Sequence, residues 1–385
     1  MLAVAHVQRR LFELSETFIY NYLTAFRRVL PVGITLGRLN VERFPVDFPM
    51  LQLVPSRLQA LVTEHMTMEW AWNRFFRGGY FHRDTFAALE QYRVRALHAH
   101  FGPNGFCLLP IKRATGLPLV TTFYGQDMSM LPRKRRWRRR YAQLFAGGDL
   151  FLVEGMHMRE KLLALGSPPE KTAIQRISLH IERYPFRERA PKTSNQPVTL
   201  LFCGRFSEKK GLLYALDAVQ RLRHDFANLE LRIVGDGAQR PQVEAFLDRH
   251  NMRAYTTLLG YQSHQRMIAE MDAADIFLSP SVTAADGDSE GGAPTSILEA
   301  QACGMPVLSS YHADIPNVVV PGASALLAPE RNTMRLVELL GELLSNPACW
   351  SEMGRRGRRF VETHHDVAPA ARRLEDRYFA LIGHE

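Results

Sequence analysis

The sequence predicts an α/β protein of two tandem domains, each an open, mostly parallel sheet with helices on both faces. Three observations carry this. Short apolar runs bounded by glycine or proline alternate with stretches of helical periodicity. The chain has 385 residues, room for two cores at roughly 100–200 residues per domain. A polar stretch with two prolines and no periodicity, residues 187–197, interrupts the alternation and reads as a linker.

The second half is the clearer. Val198–Cys203 is an apolar run between Pro197 and Gly204, as a buried parallel strand requires. Leu212, Leu213, Leu216, Val219 and Leu222 then recur at helical spacing. Strands follow at 229–234, 256–259, 276–280 and 306–309, with helices at 242–250, 265–272 and 294–303 between them. In the first half, strands are expected at 2–7, 32–36, 96–99, 119–123 and 150–153. Residues 43–92, rich in aromatics and arginine, are expected to be helical. The expected domains are therefore 1–186 and 198–366, with a terminal helix in 367–385 packing back toward the first.

Composition excludes several classes. With 46% hydrophobic and 23% charged residues the chain is ordinary globular protein. No apolar run reaches the ~20 residues of a membrane-spanning helix. The first residues, too short an apolar stretch followed by Gln8-Arg9-Arg10, read as a buried strand rather than a secretory signal. Four scattered cysteines without a Cys-x-x-Cys pair fit reduced, cytosolic thiols. The net charge of +9 is uneven: residues 1–190 carry 28 Lys/Arg against 15 Asp/Glu, and the remainder 20 against 24. The first half therefore expects an anionic partner.

The chemistry concentrates between Asp286 and Val307, where a glycine-rich loop runs into a helix with Pro294 at its start. The free N–H groups and positive dipole end of such a helix suit a diphosphate. Glu290 precedes the helix and Glu299 lies within it, and ionised carboxylates accept hydrogen bonds from sugar hydroxyls. Phosphates in the middle and sugars at both ends describe the ligand.

This passage resembles the Glu-Gly-x-Pro…Glu signature of the retaining glycosyltransferase family four. The resemblance implies that Glu290 holds hydroxyls of the donor sugar and Glu299 the ribose of the nucleotide. The loop is one residue longer than the family pattern, with Gly291-Gly292-Ala293 before Pro294. Gly204-Arg-Phe-Ser-Glu-Lys-Lys-Gly211 is similar to the family segment whose Arg and Lys face the phosphates; here these are Arg205 and Lys210, with Lys209 the alternative. Gly235 and Tyr261 stand where the family turns near the nucleobase. Fixed cations there would stabilise a departing diphosphate without a metal, so no metal or cofactor is expected beyond the nucleotide diphosphate sugar as co-substrate. Asp286 and Asp288 have the letters of a metal site, but their neighbours already have roles around the donor.

Weaker matches lie earlier. In His98-Ala-His-Phe-Gly102, His100 falls where the family carries a histidine reaching the donor sugar, with His98 the less favoured of the pair. Thr121-Thr-Phe-Tyr-Gly-Gln-Asp127 resembles a Thr-Phe-His-Gly-x-Asp segment, giving Asp127 a substrate role or a plain helix cap. Leu14-Ser-Glu-Thr-Phe18 recurs in members that build exopolysaccharide or lipopolysaccharide.

The resemblance covers nearly the whole chain and implies the GT-B arrangement: two Rossmann-like domains facing each other across a cleft. It implies transfer of a sugar with retention to a saccharide or lipid-linked acceptor. A nucleotide-sugar epimerase on the same fold and a non-catalytic binder of acidic polymers are the rivals. Seven basic residues between Arg133 and Arg140, among them Arg135, Arg136, Arg138 and Arg139, surround Trp137 and precede Tyr141. This cluster reads as an amphipathic strip with aromatic anchors for an anionic membrane surface, without a nucleic-acid module. The expected location is cytoplasmic, peripheral to the inner face of the cell membrane.

Overall fold

The structure is a computed structural model and describes residues 1–13, 16–53, 80–193 and 196–383. The chain divides into two compact units: Met1–Glu154, Arg159–Ser178 and Val367–Glu385 form one, Gly155–Met158 and Leu179–Asp366 the other.

In the first unit, β1 (Leu2–Leu11), β2 (Val29–Arg38), β3 (Met50–Gln52), β4 (Val94–His100), β5 (Leu119–Thr122), β6 (Leu150–Val153) and β7 (Thr172–Ile174) form one sheet. Its order is β3-β2-β1-β4-β5-β6-β7, with every pairing parallel. In the second, β8 (Val198–Cys203), β9 (Leu229–Val234), β10 (Thr256–Gly260), β11 (Ile276–Ser279), β12 (Val307–Ser310) and β13 (Ala325–Ala328) are ordered β10-β9-β8-β11-β12-β13, again all parallel. β5, β6, β11 and β12 are buried along their whole length, which is why they read as unbroken apolar runs. In both sheets the order reverses beside the first strand. Connections there leave on opposite faces and open a crevice at the strands' carboxyl ends, between β8 and β11 in the second unit.

The second core packs Leu200, Phe202, Leu231 and Ile233 from the sheet against Leu212, Leu216 and Val219 of the helix Leu212–Leu222. Trp350 closes it, its indole N–H donating to the Leu343 carbonyl at 2.8 Å. The helix Val367–Ile382 belongs to the first unit. Its Glu375 carboxylate accepts from the N–H groups of Arg27, Arg28 and Val29 at 2.7, 2.6 and 3.2 Å, satisfying backbone donors at the start of β2.

Three expectations need correction. Leu179–Asp366 belongs to the second unit, so among the described residues 187–193 is part of that unit rather than a free linker. Arg187 and Arg189 lie against the carbonyl end of the helix His264–Ala273. The fully buried Arg189 guanidinium donates to the carbonyls of Met271, Ala274, Arg187 and Cys303. Cations and planar N–H forks belong at a helix C-terminus, where carbonyls lack intrahelical partners. Burial draws Arg189 down to about 10. Second, residues 43–92 are not uniformly helical. Met50–Gln52 is a strand beside β2, Tyr80–Gln91 is a helix, and 54–79 lie outside the described residues. Third, β3, β7 and β13 went unread, since three or four residues carry no usable period.

Candidate functional site

The crevice between β8 and β11 is built by tight backbone turns. Gly235, after β9, has φ +132°, and a Cβ there would stand 1.9 Å from the Gly204 carbonyl oxygen. Gly211 has φ +68°, and a Cβ would meet the Pro280 carbonyl at 1.8 Å. Only glycine permits these approaches. They fold the turn after β8 so that the stem of Lys210 passes over Gly204 and its ammonium reaches Glu290 Oε2 at 2.9 Å.

Glu290 is nearly buried. Ser281, just past β11, donates to its Oε1 at 2.9 Å. Burial alone would raise its carboxyl, but Lys210 and Lys209 outweigh burial and hold it below the usual carboxylate range. The Glu290 backbone N–H donates to His312 Nε2 at 3.1 Å, while His312 Nδ1 faces Glu330 at 2.7 Å. These partners fix His312 as the neutral tautomer with its proton on Nδ1. The extra loop residue thus leaves Glu290 anchored by both main chain and side chain. Gly291 takes φ +78°, and the Gly292 carbonyl accepts from Asp314 N–H at 3.1 Å.

Lys209 turns the other way, holding the loop through the Ser289 carbonyl and Asp288, each at 3.0 Å. Lys210 is therefore the lysine that meets the carboxylate. Asp288 and Asp286 both accept loop N–H groups. Arg205 is exposed, with no ion-pair partner among the described residues. Glu299, on the helix Thr295–Ala302, is buried; Tyr184 donates to its Oε1 at 3.0 Å and His264 Nε2 lies 3.5 Å away. Burial, with the Glu299 charge adding to it and Lys210 opposing, pushes the Cys203 thiol up, which places both groups around the end of β8. Tyr261 stands at the edge, 66% exposed, its hydroxyl donating to the Asp236 carbonyl at 3.1 Å. Lys210, Glu290 and Glu299 thus gather in one crevice of the second unit. Ser281, His312, Glu330, Tyr184 and His264 join them without having given a motif; their signal was polarity at the carboxyl ends of parallel strands and at helix starts.

The first-unit candidates behave differently. His100 is buried, and both ring nitrogens are engaged, Nδ1 with Tyr124 Oη at 2.9 Å and Nε2 with His6 Nδ1 at 3.2 Å. It is not the exposed ring that contact with a sugar requires. His6 and His98 are register partners on β1 and β4, and His100 lies two residues along β4, so the three share one face. Burial holds all three imidazoles far below their usual range, His100 at about 3. Their nitrogens lie within 4.8 Å of one another. However, the His98 and His100 rings stack at 4.7 Å and 20°, so their in-plane lone pairs do not converge on one ion, and both His98 nitrogens are hydrogen-bonded to Tyr378 and Thr122.

Asp127 is also committed internally. Its carboxylate accepts from Gly102 N–H at 2.8 Å and Tyr124 N–H at 2.9 Å, and burial lifts it to about 6 despite these bonds. These bonds position the backbone at Gly102 and Tyr124. The aromatic anchors are corrected too. Trp137, Tyr141, Leu144 and Phe145 form the buried stripe of the helix Arg135–Gly147, and the Tyr141 hydroxyl donates to the Asp127 carbonyl. Arg135, Arg136, Arg138 and Arg139 remain on the exposed face.

Family models extend the pattern across the chain. Residues 185–360 match "Glycosyl transferases group 1" and residues 53–175 match "Glycosyltransferase Family 4". The putative colanic acid biosynthesis glycosyltransferase WcaL of Salmonella typhimurium is 30% identical over 356 residues, 85% of this chain and 87% of that protein. The chain belongs to the group 1 glycosyltransferases. The amylovoran biosynthesis glycosyltransferase AmsK of Erwinia amylovora is 33% identical over 279 residues, 72% of this chain and 68% of its own. Among solved structures, Anabaena HepE in complex with UDP superposes with a TM-score of 0.78 at 13% identity, covering 98% of this chain and 99% of that one. Sucrose-phosphate synthase from Thermosynechococcus elongatus gives 0.77 at 16%, covering 98% of each. The fold of this glycosyltransferase is GT-B, made of two Rossmann-like units.

Proposed function

We propose that this glycosyltransferase takes a sugar from a nucleoside diphosphate donor bound in the second unit. It passes the sugar, with retention of configuration, to a saccharide or lipid-linked acceptor in exopolysaccharide assembly. The observation that carries this reading is the grouping of Lys210, Glu290 and Glu299 at the carboxyl end of β8. The colanic acid and amylovoran relatives support the product class, and HepE in complex with UDP-glucose supports the donor class.

In this reading Lys210 and Arg205 meet the diphosphate, Glu290 accepts hydroxyls of the transferred sugar and Glu299 those of the ribose. The acceptor hydroxyl approaches the anomeric carbon on the face the diphosphate leaves. The new C–O bond forms as the bond to the phosphate oxygen breaks, and the hydroxyl proton passes to that departing oxygen. The growing negative charge falls to fixed cations, a role that metal ions fill elsewhere. Among the described residues no helix is long and apolar enough to cross a membrane. The exposed arginines of the helix Arg135–Gly147 support docking on anionic lipid at the inner face of the cell membrane through charge alone.

The test is a mass-resolved screen of nucleotide sugars with and without saccharide acceptors. A glycosylated product that keeps the donor's anomeric configuration, lost in Glu290→Ala, is the expected result. An isomerised donor formed without acceptor would instead make the chain an epimerase. Binding of acidic polymers without turnover would make it a non-catalytic binder.

A further inference from the structure

We infer that Tyr184 and His264 act as a clamp that presents the Glu299 carboxylate to a vicinal diol, and so select a ribonucleotide over its dideoxy counterpart. This rests on the sugar-donor site proposed above. The Tyr184 hydroxyl is buried and donates to Glu299 Oε1 at 3.0 Å. His264 Nε2 lies 3.0 Å from the same hydroxyl, with the two rings edge-to-face at 5.7 Å and 89°.

A phenol has one proton. Because Tyr184 gives it to Glu299, its oxygen can only accept from His264, which places the imidazole proton on Nε2. The polar chain therefore runs in one direction, from His264 N–H to Tyr184 O–H to the carboxylate. Burial and the Glu299 charge push the Tyr184 hydroxyl far above its ordinary value, so it stays a proton donor throughout the working pH range.

The geometry divides the carboxylate. Oε1 is held, while Oε2 takes no hydrogen bond among the described residues, although the side chain is only 6% exposed. A carboxylate this enclosed needs O–H or N–H partners. Two neighbouring hydroxyls supply two donors, which a phosphate, an acceptor-only group at neutral pH, cannot. The helix start at His264 and the strap before Arg187 thus set the rotamer of a residue on a third element.

Calorimetric binding to the full chain distinguishes the possibilities, with UDP, GDP and their 2′,3′-dideoxy forms as probes. Wild type should prefer the ribo form of the tighter base by about tenfold or more, as bonds to a charged group allow. Tyr184→Phe should erase most of that preference by weakening the ribo form and leaving the dideoxy form unchanged. His264→Ala should do so in part, and His264→Gln, which keeps an N–H donor, should restore it. If wild type shows no ribo preference, the Glu299 assignment and the clamp both fall. If wild type discriminates and Tyr184→Phe discriminates equally, or weakens both forms alike, the clamp alone falls and the sugar-donor site stands.

Discussion

Lowering the pH from 7 to 5 should destabilise the first unit, because His6, His98 and His100 are buried as neutral rings. Their folded pKa values lie below the unfolded one, so the stability they contribute is present above pH 6.5 and lost as pH falls toward the folded values. For His100, falling from about 6.5 unfolded to about 3 folded, the loss at pH 5 is roughly 2 kcal/mol. His6 and His98 shift in the same direction, through burial and the neighbouring imidazoles, and add to this loss. Asp127 opposes them. Its folded pKa is raised to about 6, so it gains stability as pH falls below that value, roughly 1.4 kcal/mol by pH 5. The three imidazoles together outweigh the single carboxyl, so the first unit loses stability on acidification, and domains have little to spare. Urea midpoints at pH 5, 6, 7 and 8, with hydrogen exchange to locate the opening, are the measurement. Protection in β1 and β4 should fall, and His6→Gln should make the midpoints less pH-dependent. Flat midpoints between pH 7 and 5, or a loss confined to the second unit, would refute the reasoning.

Other consequences can be checked separately. Arg189→Lys should lower the stability of the second unit by about 2 kcal/mol in urea titrations, because one ammonium cannot replace a planar fork that reaches five carbonyls. Turnover should survive EDTA; activity lost on chelation and restored by magnesium or manganese would return Asp286 and Asp288 to consideration as ligands. Binding to phosphatidylglycerol vesicles should fall with salt and fall further when Arg135, Arg136, Arg138 and Arg139 become Ser, while neutral vesicles should recover little of either protein. Equal recovery of both proteins would reduce the cluster to a solvated face.

The sequence made the sheets readable where a strand is buried on both sides. Val198–Cys203 and Ile276–Ser279 announce themselves as short, mostly apolar runs. Glu290, Glu299 and Lys210 stood out through their resemblance to a family signature, and local chain geometry brings them together around a strand end. What escaped depends on partners distant in sequence. The pairing of His6 with His98 needs the β1–β4 register, and nothing near Arg187 reveals a helix end more than 80 residues on awaiting its guanidinium. The cluster around Trp137 failed for another reason. Aromatics four apart mark one helix face, but not whether that face looks outward, and here the core took it.

The ion pair between Lys210 and Glu290 also bears on how the enzyme lets go of its product. With the crevice empty, the ammonium and the carboxylate neutralise one another, so Lys210 is withheld from stray anions such as inorganic phosphate. On the proposed reading, a complete donor satisfies both partners at once, its diphosphate drawing the lysine and its sugar hydroxyls covering the glutamate. Once the sugar has left, the spent nucleotide offers the glutamate nothing. The enclosed carboxylate, still held by Ser281, reclaims the lysine and loosens the grip on the diphosphate. Donor is thereby favoured over spent nucleotide in competition for the same crevice, and turnover need not stall as product accumulates.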